Sequence, residues 1–133
     1  MSDALAVKAR FPVAPERILA AWLDPEQHAE MTGAGATGEG RVGAAFTAWD
    51  GYIEGTTLVV EPGRIVQAWR TAEFPEGAPD SRLEVIVTAI SGGCEVSIAH
   101  TEIPDGQGPR YEQGWMDFYF SPMASVFGAW EGA

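Results

Sequence analysis

The chain has no asparagine, one cysteine, one lysine and no apolar run long enough to cross a bilayer. Each absence removes a class of protein. Without Asn there is no N-glycosylation acceptor. With Cys94 alone, neither an intrachain disulfide nor a CxxC-type zinc site can be built, and the thiol is expected to be a small strand residue facing the core. Lys8 and seven arginines stand against 19 acidic residues, giving a formal charge of −11 over 133 residues. A surface so poor in clustered cations disfavours nucleic acid as a partner, and anionic membranes for the same reason. The N-terminal stretch MSDALAVKARFPV has neither an apolar h-region nor a cleavage pattern, so a cytoplasmic protein is expected.

What is present is periodicity. The length suits one domain spanning residues 1–133, which would bury roughly two-thirds of the surface of its unfolded chain. Residues 4–13 read as a first strand, stopped by Pro12 and Pro15. Pro15 then opens a short helix, PERILAAW, whose Ile18, Leu19 and Trp22 share a face. Asp24, Pro25 and Glu26 repeat the start signal, with a side-chain cap, a proline at the first position and an acid at the positive end of the dipole.

From about residue 41 to residue 102 the period becomes two. RVGAAFTAW sets Val42, Ala44, Phe46 and Ala48 on one side, and LEVIVTAI does the same for Leu83, Val85, Val87 and Ala89. Turn signals at Pro62–Gly63 and at residues 91–93 divide the segments into an antiparallel meander. Residues 111–130, YEQGWMDFYFSPMASVFGAW, then carry an aromatic stripe at helical spacing: Trp115, Met116, Tyr119, Phe120, Met123, Val126, Phe127 and Trp130, with Phe118 outside it. Pro122 removes a hydrogen bond to the carbonyl of Phe118 and is expected to bend the helix. These elements predict an α+β fold in which a curved antiparallel sheet faces a long C-terminal helix, with two short helices after the first strand.

Several residues are candidates for chemistry. GAGATG at 33–38 has the letters of a dinucleotide fingerprint, but a helix precedes it and a strand follows, the reverse of what pyrophosphate binding requires. It is expected to be a flexible connection. His100 shares an apolar strand face with Cys94, Val96 and Ile98, which suits a core histidine, a ligand contact or a general base. In the last case an acid such as Glu54 or Glu84 would have to share its cavity. His28 lies in a separate short helix, so a metal site is not expected. Glu112 falls within the stripe, one turn before Trp115, where it either interacts with the helix dipole or anchors a polar ligand group. Trp49, Trp69, Phe46 and Tyr52 are core or pocket lining.

The ordered set MTG, FTAWDGYIEG, VVEPGRIVQAWR, FPEG, IP and GWMDFYFSPM resembles the activator of Hsp90 ATPase homologue family, C-terminal-domain type, within the START-like or SRPBCC superfamily. The likeness runs from FPVAPERILAAW to Trp130. It implies the helix-grip fold, with a pocket between sheet and helix. It departs at Met31 and Phe74, where many relatives have Trp. The resemblance implies either a binding module for a small apolar molecule or a chaperone partner that modulates ATP turnover; a small cyclase- or dehydratase-type enzyme with His100 as base is a further alternative. The expected ligand-binding residues are Phe46, Trp49, Trp69, His100, Glu112, Trp115 and Tyr119. No catalytic residue, metal or cofactor is assigned.

Overall fold

Period-two alternation becomes seven strands: β1 (Ser2–Phe11), β2 (Thr37–Gly38), β3 (Ala45–Ala48), β4 (Ile53–Glu61), β5 (Arg64–Thr71), β6 (Ser81–Ile90) and β7 (Gly93–Pro104). In the computed structural model, which describes residues 2–131, they form one curved antiparallel sheet in the order β1-β7-β6-β5-β4-β3-β2. The alternation decides the register. Leu83 pairs with His100, Val85 with Ile98 and Val87 with Val96, so every second side chain of β6 and β7 reaches the same buried face. Curvature has local causes. Register shifts at Thr57/Val59 in β4 and Asp3/Leu5 in β1 add twist. At Gly55 a Cβ would lie 1.9 Å from the carbonyl oxygen of Ala68, so only glycine lets β4 press this closely on β5.

Val42 is a correction. The Ala44 N–H donates to the Arg41 carbonyl at 3.0 Å and closes a turn, so the strand begins at Ala45 and Val42 is exposed.

Helices α1 (Pro15–Leu23) and α2 (Pro25–Thr32) start at their prolines, and Asp24 Oδ2 accepts the Gln27 N–H at 2.9 Å, as the sequence pattern requires. Ile18, Ala21 and Trp22 of α1 and Met31 of α2 are buried.

The C-terminal helix is built in three parts: α3 (Gly108–Gly114), a π segment (Trp115–Phe120) and α4 (Ser121–Phe127). Pro122 cannot donate to the chain behind it, and the Ser121 N–H reaches back five residues to the Met116 carbonyl. A π turn holds about one residue more than an α turn, so it shifts the helix faces by about one position. The buried side therefore reads Tyr111, Trp115, Tyr119 before the shift and Phe120, Met123, Phe127 after it. This corrects the uniform stripe. Met116, Val126 and Glu112 are exposed, and Trp130 lies beyond the end of α4. The rear half is seated by Phe11, whose ring lies 6.2 Å from Phe120 and 6.3 Å from Phe127. Burying rings of this size contributes about 1.5–3 kcal/mol each. Among the described residues no helix is long and apolar enough to cross a membrane.

Candidate functional site

Between the front half of the C-terminal helix and the β3–β5 part of the sheet lies an open cleft of about 390 Å³. The sheet side contributes Trp49, Tyr52, Ile53 and Trp69; the helix side contributes Tyr111, Gly114, Trp115, Phe118 and Tyr119. Phe118 reaches the cleft because of the π shift and meets Trp49 edge-on, with ring centroids 5.4 Å apart. Trp69, Trp115 and Tyr119 follow one another along the wall, at 5.6 Å and 4.8 Å.

The polar ends of Trp115, Tyr119 and Tyr111 are tied down behind the wall. Trp115 Nε1–H donates to His100 Nδ1 at 3.1 Å, which makes Nδ1 the acceptor and leaves the imidazole proton on Nε2. That proton points to Ser81 Oγ at 2.8 Å, and the Ser81 hydroxyl donates to the Trp69 carbonyl at 2.7 Å. His100 is completely buried, and desolvation pushes its pKa down to about 3. It is therefore a neutral imidazole with both nitrogens used, placed behind Trp69 and Trp115 rather than on the cleft surface. Glu54 and Glu84 are not among its partners.

Tyr119 is held in the same manner. His28 Nδ1–H donates to the Trp22 carbonyl at 2.9 Å, so Nε2 accepts the Tyr119 hydroxyl at 2.8 Å. Burial lowers the pKa of His28 and raises that of Tyr119. The Tyr111 hydroxyl donates to Gln107 Oε1 at 2.8 Å and lies 2.7 Å from Thr71 Oγ1.

The mouth is polar. Arg110 Nη1 lies 2.9 Å from Glu73 Oε1, both side chains being about half exposed. The Tyr52 hydroxyl donates to Glu73 Oε2; desolvation, and then this carboxylate, push its pKa up to about 12.

Trp49 sits on a strained turn. Trp49 and Asp50 have φ of 51° and 57°, a left-handed region that is costly for a bulky side chain. Asp50 locks the turn to the glycine loop, its Oδ1 accepting the Gly35 N–H at 2.8 Å and its own N–H donating to the Gly35 carbonyl at 2.9 Å. A Cβ on Gly35 would stand 2.7 Å from that Oδ1. GAGATG is thus a pinned connection whose glycine permits close approach. Trp49 Nε1 is the one buried side-chain nitrogen or oxygen with no hydrogen-bond partner among the described residues.

Of the residues expected from sequence, Trp49, Trp69, Trp115 and Tyr119 meet at the cleft. Phe46 lies beside a separate void of only about 20 Å³, together with Trp22 and His28. Glu112 points to solvent. The sequence reading missed Ile53, Glu73, Arg110, Tyr111, Gly114 and Phe118 as lining. The Tyr111-Trp115-Tyr119 spacing of four was a signal for one of them; the isolated charges gave none. Among the described residues there is no group of three or more His, Cys, Asp or Glu side chains that could hold a metal ion.

The sequence matches the family described as Activator of Hsp90 ATPase homolog 1-like protein over residues 12–128. No curated protein matches. Among solved structures, an HSP90 activator from Plasmodium falciparum is similar with a TM-score of 0.83 at 21% identity, covering 94% of this chain and 96% of that one. CalU16 from Micromonospora echinospora gives 0.76 at 21% identity, covering 98% and 78%. The Aha1 dimer from Colwellia psychrerythraea gives 0.77 at 14%, covering 98% and 99%. Identities this low show the shared helix-grip fold and nothing finer. Matched from the residue that follows β1 to the one that follows α4, the chain belongs to the family of Activator of Hsp90 ATPase homolog 1-like proteins.

Proposed function

We propose that this chain is a non-enzymatic binding module holding a small, flat, largely apolar molecule between the sheet and the front half of the C-terminal helix. The observation that carries the reading is the cleft of about 390 Å³ walled mostly by aromatic rings, those of Trp115, Tyr119 and Tyr111 having their polar atoms hydrogen-bonded to protein partners. Ligand sites are of this size and this make-up, mostly apolar with a few placed polar groups. His100, the one candidate base, is neutral, enclosed and fully hydrogen-bonded, so the geometry lends no support to acid–base catalysis through it.

Gly114 supplies the test. It lies on the cleft wall, and a side chain built there meets only Phe118 Cδ2, at 3.8 Å. Gly114→Leu fills the cleft from a helical position and leaves the core untouched. Titration with the fluorescent apolar probe phenylnaphthylamine should saturate with the parent protein and weaken at least about tenfold in the variant. Equal binding by both proteins would sink the placement.

A second reading is favoured by the family itself and by the Plasmodium falciparum HSP90 activator, 96% of whose chain this protein covers. On that reading the protein binds an Hsp90-type chaperone through its surface and alters its ATP turnover. Turnover unchanged at saturating protein would remove it.

A further inference from the structure

We infer that the occupant of the cleft is an aromatic acid whose anionic head is held at the mouth by Arg110. The inference rests on reading the cleft as a ligand site and names the chemistry of its guest.

Two charged side chains line the cleft, Glu73 and Arg110, and they are not equally engaged. Glu73 accepts from the Tyr52 hydroxyl through one oxygen and meets Arg110 through the other, while its backbone carbonyl takes the Gln107 amide at 3.0 Å. Arg110 spends Nη1 on Glu73, and its other guanidinium N–H groups have no partner among the described residues. What the mouth offers is therefore donors, in the planar fork that matches a carboxylate.

Among the described residues lining the cleft, Glu73 and Arg110 are the charged side chains, and Glu73 is an acceptor, so recognition of an anionic head falls to Arg110.

The charge of the whole protein sharpens the argument. A net −11 repels anions in general, so an anion that binds must do so through a local cation, and Arg110 is the one cation lining the cleft among the described residues. Its ion pair with Glu73 stands half in water, where such pairs are weak and exchangeable. Glu73 competes with the ligand for the guanidinium, which makes a counterintuitive expectation: neutralising this acid tightens the binding of an acid.

The experiment uses two probes that share a ring system and differ by one anionic group, anilinonaphthalene sulfonate and phenylnaphthylamine. Each is titrated by fluorescence against the parent protein, Arg110→Met and Glu73→Gln, at physiological ionic strength, with near-UV circular dichroism as a check of folding. The quantity read is the ratio of the neutral probe's Kd to the anionic probe's Kd, which cancels general damage to the cleft. One lost charge-assisted contact should lower the ratio about tenfold in Arg110→Met, and Glu73→Gln should raise it. A ratio unmoved by Arg110→Met, with both probes still bound, overturns the acid and leaves the cleft reading in place. Failure of both probes to bind the parent protein overturns the two together.

Discussion

The Tyr119 hydroxyl donates to Nε2 of His28 at 2.8 Å and so joins the C-terminal helix to α2 across 91 residues of sequence. Both groups are buried, and no solvent is at hand to replace the bond. Tyr119→Phe removes the donor and leaves the imidazole nitrogen unsatisfied, at a cost of about 1–3 kcal/mol. A urea midpoint equal to the parent's would show that the helices are not joined there.

Acid should loosen the fold through the histidines. Burial lowers the folded pKa of His28 and brings that of His100 to about 3, whereas the unfolded chain takes up these protons near the ordinary value of about 6.5. The unfolded state therefore binds more protons below about 6.5. The stabilisation is complete above that pH and is lost as the pH falls toward the folded values, by up to about 1.4 kcal/mol per unit for each histidine. Comparing urea unfolding at roughly pH 7.5 and roughly pH 5.5, the parent should lose more than His28→Gln. Equal losses would mean that His28 is free to protonate in the fold.

Asp50 acts through Trp49. Asp50→Ala takes away the Gly35 bond and a side chain that tolerates the left-handed conformation, and should cost about 1–2 kcal/mol. Asp50→Asn keeps both features and should stay near the parent. Gly35→Ala should reproduce Asp50→Ala, because its methyl displaces the carboxylate. If the turn sets the cleft, phenylnaphthylamine binding weakens several-fold in the first and third variants only. Identical binding in all three would separate the turn from the cleft.

Gly114 has helical φ/ψ of −60° and −40° and is free of crowding. Gly114→Ala should then raise stability by about 1 kcal/mol, the difference in helix propensity. A lower thermal midpoint would reveal packing against the position.

Much of this architecture was legible in the sequence. The prolines at 15 and 25, the Asp24 cap and the alternation in β6 and β7 are local signals, and local structure obeyed them. The π shift was not legible. A one-residue slip leaves the count of apolar residues unchanged and only moves which of them face inward, so Glu112 looked central and Phe118 peripheral. His100 was read with its alternatives open because a sequence displays an imidazole without its partners; Ser81 and Trp115 decide its state, from 19 and 15 residues away. The cleft-mouth pair Glu73–Arg110 joins two loosely constrained positions by tertiary proximity alone.

The slip in the C-terminal helix also divides labour along one rod. Its rear half, with Phe120, Met123 and Phe127, grips Phe11 and the interior, while its front half presents Gly114, Trp115 and Phe118 to the cleft. Substitutions at Gly114 and Phe118 can thus reshape the cleft face without loosening the grip behind, so that the shape of the opening and the stability of the fold vary independently.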